Sequence, residues 1–193
     1  MDSTNNLSTP QPTGNAVIWA IDPVHSRIRF DARYLLLSAV SGWFNDFEGT
    51  VVAGPDNFND SRIRLAIYTS SVNTGNEERD KHLRSADFFD AIHHPVIGFH
   101  STSVVQSGPE LQVTGLISIR DIQREQYFTA TWLGTLPDPM GNQKAGFTLD
   151  LVLNRKDFNI SWNQAFDRSG ILLSDEIHLH ADLQLLRLSS NPA

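Results

Sequence analysis

The chain has 193 residues, 40% of them hydrophobic and 19% charged, a balance that supports one generous folded domain and argues against disorder. Its net charge of −7 suits neither displacement of the counterions around a nucleic-acid duplex nor stable adsorption on an anionic membrane. With no cysteine, disulfides, thiolate metal sites and cysteine nucleophiles are excluded together.

Residues 1–16 hold no Lys or Arg and a single Leu, and read as a disordered polar tail. They precede one domain over 17–188, and 189–193 reads as a second tail. A secretory leader begins basic and continues apolar. The expectation is therefore a soluble cytoplasmic protein, with a periplasmic form whose leader has been removed as the alternative. No apolar stretch approaches the roughly 20 residues that span a bilayer, so stable membrane insertion is not expected, while transient contact stays open.

Over residues 25–34, Ile28, Phe30, Ala32 and Tyr34 share one face, and Arg27, Arg29, Asp31 and Arg33 take the other. This period of two predicts a half-buried strand. A second strand, with weaker alternation, is expected over 43–52, and a third where Ile63, Leu65 and Ile67 oppose Arg62 and Arg64. The pattern then breaks. Thr74-Gly75-Asn76-Glu77 has the Ser/Thr-x-x-Glu form of a capping box, in which each end satisfies the other's backbone donor. Glu77 with Lys81 and Glu78 with His82 have the i, i+4 spacing that supports a helix. A short helix over 75–85 is predicted, with Leu83 as its one sizeable apolar residue and Phe88-Phe89 just beyond it.

Five more strands follow, over 96–105, 111–119, 127–136, 145–153 and 176–185. In the third of these Phe128, Ala130 and Trp132 share a side; in the last, Ile177, Leu179, Ala181, Leu183 and Leu185 alternate with polar residues. Eight strands, each with one apolar face, predict an all-β fold, an eight-stranded antiparallel barrel closed to remove its edges, with a short helix at the rim. Such a barrel is either filled by side chains or holds one small ligand, and alternation does not choose between them.

The block Thr74-Gly75-Asn76-Glu77-Glu78-Arg79-Asp80-Lys81-His82-Leu83-Arg84-Ser85-Ala86-Asp87-Phe88-Phe89-Asp90 closely resembles the signature of the YceI-like polyisoprenoid-binding family. Further matches are Trp19-Ala20-Ile21-Asp22-Pro23-Val24-His25-Ser26, His94-Pro95 leading to Phe99-His100-Ser101, Val113-Thr114-Gly115, Pro139-Met140-Gly141-Asn142, Gly146-Phe147 and Asn154-Arg155-Lys156-Asp157-Phe158. The resemblance runs over about residues 17–187, and several spaced motifs in one order are far more specific than any one of them. The chain departs from the family at Tyr34, where His is common, at Asn159, where Gly is usual, and in the loop Arg120-Asp121-Ile122-Gln123-Arg124.

The resemblance implies a lipocalin-like barrel whose central tunnel binds a long isoprenoid or similar lipid, of quinone or polyprenyl phosphate type, as a carrier or storage protein. No other cofactor and no nucleic acid is implied, and a homodimer stays open. Alternation and the resemblance together nominate Phe30, Tyr34, Leu65, Leu83, Phe88, Phe99, Trp132, Phe147, Phe158 and Leu179 as ligand-binding residues. Trp19, Trp43, Trp132 and Trp162 are expected on inward faces. The helix is expected to border the tunnel mouth, with Leu83 and Phe88 turned inward and Arg79 and Asp80 holding it to the barrel.

Other features point less firmly to chemistry. His178 and His180, two apart on a strand, share a face and could serve a metal, but no third ligand is assigned and an exposed polar pair is the simpler reading. Arg79, Asp80 and His82 suit hydrogen bonds that anchor a helix better than an acid–base set. No serine elbow, phosphate-cradling glycine loop or zinc-protease motif is present. No catalytic residue is nominated and a non-enzyme is expected, the alternative being a lipid-modifying hydrolase or isomerase in the same cavity.

Overall fold

The alternating runs pair in sequence order and close on themselves in the computed structural model, which describes residues 16–35, 37–163, 165–166, 170–171 and 173–188. Of the two expected tails, residues 1–15 of the first and all of the second, 189–193, lie outside the described residues. Strand β1 has two segments, Val17–Ile21 and Arg27–Tyr34; β2 has Ser38–Phe44 and Phe47–Ala53; β3 has Arg62–Tyr68 and Val72–Asn73. Helix α1 is Glu77–Arg84. The remaining barrel strands are β4 (Val96–Ser107), β5 (Glu110–Ile119), β6 (Ile122–Pro137), β7 (Gln143–Asn154) and β8 (Leu173–Arg187), and Ala165–Phe166 pairs with Gly170–Ile171 outside the barrel sheet.

Each strand runs antiparallel to the next, and β8 closes the wall onto both segments of β1, with Ala20 opposite Leu186 and Phe30 opposite Leu179. The expected eight-stranded antiparallel barrel is therefore the fold. Its first strand begins earlier than alternation predicts, because Val-Ile-Trp-Ala-Ile has no polar residue to mark a period.

The first three strands break at one level. In β1 the break falls at Asp22-Pro23, where proline cannot donate to a ladder. The fully buried Ser26 replaces the missing rungs: its hydroxyl accepts the Gln184 N–H at 2.9 Å and donates to the Gln184 carbonyl at 3.4 Å. In β2, Asn45 donates its N–H to the Ser71 carbonyl, and Tyr68 donates to that of Asp46. A 3₁₀ turn, Thr69–Ser71, interrupts β3 at the same height.

Two glycines let rings lie against the wall. A Cβ at Gly42 would overlap the Phe30 ring, and one at Gly115 would meet both the Phe99 ring and the His100 carbonyl oxygen at 2.5 Å. Trp43 corrects an expectation. It lies between the inward positions Gly42 and Phe44, so its own side chain faces outward and is 39% exposed. No helix among the described residues is long and apolar enough to cross a membrane.

Candidate functional site

Alternate residues of the wall enclose an apolar cavity of about 600 Å³. Nine of the ten nominated residues line it: Phe30, Tyr34, Leu65, Leu83, Phe88, Phe99, Phe147, Phe158 and Leu179. Trp132 does not. It faces inward, but Phe58 already fills the interior at that height.

Phe58 comes from the loop 54–61, where polar neighbours hide it from any periodic reading. The loop is pinned by the Phe58 N–H donating to Gln106 Oε1 at 2.7 Å and the Asp60 N–H donating to the Val104 carbonyl at 2.9 Å. Its ring meets Phe147 edge-on at 4.9 Å, Trp19 at 5.6 Å and Trp132 at 6.2 Å. Together with Leu111, Ala145 and Leu185 these rings close one end of the barrel. An isolated aromatic between Asn57 and Asn59 was the available sequence signal. Ser61, at the end of the same loop, puts a buried hydroxyl on the cavity wall with no hydrogen-bond partner among the described residues.

The other end is bordered by α1. Its N-cap is Asn76, whose side chain accepts the Arg79 N–H at 3.0 Å, so the expected capping box on Thr74 is corrected. Gly75 lies at φ +73, outside helical space, and the helix starts after it. Thr74 serves a different purpose. Its N–H donates to Asp80 Oδ1 at 2.8 Å, its hydroxyl also donates to Asp80, and it accepts Arg79 Nε at 2.7 Å. Arg79 also donates to the Thr74 carbonyl at 2.9 Å. Arg79 and Asp80 thus tie the helix to the end of β3, while Leu83, Phe88 and the unnominated Phe89 turn into the cavity.

His82 closes a small aromatic cluster at this mouth. Its ring stands edge-on to Phe88 at 5.0 Å and to Trp162 at 4.6 Å, and its Nε2 lies 2.8 Å from Asp87 Oδ2. Arg155 fixes the opposite bank. It donates to the carbonyls of Ile160 at 2.8 Å, Trp162 at 2.7 Å and Ser174 at 2.9 Å, and pairs with Asp175 at 3.1 Å. Burial pulls its guanidinium below the usual range, and Asp175 opposes that pull. Thr74, Glu78, Arg79, His82 and Arg155 make the mouth polar around a chamber lined mostly by hydrocarbon.

His178 and His180 lie on the other face of β8. His180 sits between two carboxylates, Asp150 at 2.8 Å and Asp182 at 3.2 Å, which raise its pKa, the Asp150 hydrogen bond most of all. Both ring nitrogens are thereby engaged. The arrangement suits an apolar guest with a polar end: burial drives the tail inward, and directional donors and acceptors are concentrated at the rim.

The family described as the YceI-like domain matches residues 19–185. The YceI protein of Salmonella newport (strain SL254) is 37% identical over 153 residues, 77% of this chain and 80% of that protein. The crystal structure of BcnA from Burkholderia cenocepacia superposes with a TM-score of 0.74 at 20% identity, covering 85% of this chain and 98% of BcnA. A polyisoprenoid binding domain from Saccharophagus degradans, implicated in plant cell wall breakdown, gives a TM-score of 0.64 at 13% identity, over 88% and 98% of the two chains. At such identities the two solved structures share the fold with this chain.

Proposed function

Because this chain belongs to the YceI-like family, whose match runs over residues 19–185, we propose that it binds a long-chain isoprenoid or similar lipid, of quinone or polyprenyl phosphate type, as a carrier or storage protein and not as an enzyme. The observation that carries this reading is the cavity of about 600 Å³, hydrocarbon along most of its wall, with Thr74, Glu78, Arg79, His82 and Arg155 gathered at one mouth and the Ser61 hydroxyl deeper in. The volume falls within the range of about 300–1,000 Å³ found for small-molecule sites. That a domain of the same fold is named for polyisoprenoid binding supports the choice of ligand class.

Each methylene moved from water into such a chamber gains about 0.8 kcal/mol. A tail leaving a bilayer was already in hydrocarbon, so its transfer is close to neutral in the apolar contribution. Near-balance suits a carrier, which must also release its cargo. Organic extraction of gently purified protein, read by mass spectrometry, tests the reading, together with uptake of an added quinone or polyprenyl lipid. A roughly stoichiometric long-chain lipid is expected. Protein that is empty from several hosts and takes up neither additive overturns it.

A further inference from the structure

A β-hairpin tip in water is ordinarily built from Gly, Asn or Asp, which satisfy the turn geometry and are well solvated. The tip joining the two halves of the β1–β2 hairpin reads Tyr34-Leu35-Leu36-Leu37-Ser38 instead. Leu35 holds φ +52, the left-handed region that branched side chains seldom enter, and Leu37 is 85% exposed. Neither property helps the barrel fold. An unfavourable backbone conformation and a solvated leucine persist here together, which is the pattern expected of a functional segment.

The tip is continuous with the cavity. Tyr34, at its base, lines the chamber and is also 41% exposed, so one side chain links the inside of the barrel to the tip that carries Leu37. A second projection stands at the same end. Ile92 is 88% exposed, yet the loop carrying it is fixed: Asp90 N–H donates to the Ser85 carbonyl, Ala91 N–H to that of Arg84, and His94 N–H to that of Asp90. His94 also faces Asp121 at the β5–β6 tip, 3.4 Å away, tying this loop to the rim. Ile92 is held out into solvent by a hydrogen-bonded scaffold.

The geometry points to the mouth end as a docking surface for the face of a lipid bilayer, with Leu37 and Ile92 entering its apolar boundary and the chamber opening onto it. Electrostatic attraction is not the driving force, since the chain carries −7 overall; the surface it fits is electrically neutral, and apolar insertion supplies the binding. This inference rests on the reading of the cavity as a lipid chamber, because docking gives a prenyl tail a route that never crosses water.

The test uses the full chain and phosphatidylcholine vesicles. Flotation measures association; transfer of a fluorescent prenyl lipid to vesicles is followed as their concentration rises; binding of a short prenyl probe is measured in vesicle-free solution. The wild type is expected to float with the vesicles and to transfer at a rate proportional to vesicle concentration. Leu37→Ser with Ile92→Ser should weaken association by about tenfold or more, as loss of two inserted aliphatic side chains implies. Transfer by this variant should slow and become independent of vesicle concentration, while probe binding in solution stays as in the wild type. Leu136→Ser removes another exposed leucine, 73% accessible and beside the closed end, and should change none of these. A wild type that does not float, a double variant that floats like the wild type, or a Leu136→Ser variant that alone loses association overturns the docking surface. Failure of probe binding in every protein, wild type included, instead overturns the lipid chamber.

Discussion

The Asp80 carboxylate, 8% exposed, receives both the backbone N–H and the hydroxyl of Thr74, so one side chain at the mouth carries two bonds between helix and barrel. Thr74 in turn accepts Arg79 Nε, and the three residues form one joint between β3 and α1. The helix brings little apolar surface of its own, with Leu83 its one large hydrocarbon side chain. Its position therefore depends on this joint more than on packing.

Asp80→Ala leaves the Thr74 N–H without its acceptor at a partly buried position, which costs about 1–2 kcal/mol. Urea unfolding should show that loss, and a bound prenyl lipid should leave faster while circular dichroism keeps its strand signature. Asp80→Asn retains an acceptor oxygen and should fall between the two. Unchanged release in both Asp80→Ala and Leu83→Ala would show the helix to be packing alone.

Phe58 limits the depth of the chamber. Phe58→Ala should cost about 3–5 kcal/mol in stability and shift preference toward longer chains, since the ring that meets Phe147 and Trp19 is removed. Competition among prenyl lipids of graded length reads the shift. An unaltered length profile in folded protein would contradict Phe58 as the floor.

At Gly115 a methyl group would meet the His100 carbonyl oxygen at 2.5 Å, and that backbone cannot swing away as a side chain can. Gly115→Ala should destabilise by about 1–3 kcal/mol and displace the Phe99 ring into the chamber, lowering lipid capacity. Thermal unfolding and lipid titration check the two effects separately.

Asp22 is held at a pKa of about 2, chiefly by the Lys144 ammonium 2.6 Å away and also by His25, against the opposing effect of burial. A lowered carboxylate pKa stabilises the fold fully above the unfolded value of about 3.9 and loses that contribution as pH falls through the folded value. Lys144→Met should thus lower the unfolding free energy by about 1–2 kcal/mol near neutral pH, allowing for partial screening. The gap between wild type and variant should narrow as pH falls from about 4 towards 2.

His180 has the opposite sign. Asp150 and Asp182 raise its pKa, so the stabilisation is complete below the unfolded histidine value and disappears as pH rises through the higher folded one. Asp150→Asn should move the His180 titration, followed by NMR, to lower pH. No movement would place the shift with Asp182 instead.

Alternation found the wall because a strand with one wet and one dry face writes its geometry into every second residue, as Ile28, Phe30 and Ala32 against Arg27, Arg29 and Asp31 do here. It failed where that contrast is absent. The first segment of β1 is apolar on both faces, and Phe58 enters the core from a polar loop with no period at all. Trp132 follows the right face but lies beyond Phe58, and depth along the barrel has no signature in period two. Trp43 shows the reverse error, a large ring assumed to be inward when strand parity turns it out. The capping motif named the helix correctly and misplaced its start, because Gly75 turns the chain before Asn76 can cap it. Nine of ten nominated residues line the chamber since most were chosen by parity on long regular strands.

The rings of Trp19, Phe58 and Phe147 make the chamber a dead end, and that fixes the kinetics of exchange. A chain that threads in tail-first must back out head-first along the same path, and no newcomer can push it from behind. In vesicle-free solution, displacement is therefore first order in loaded protein and indifferent to how much competitor is supplied. The resident's own departure is the clock.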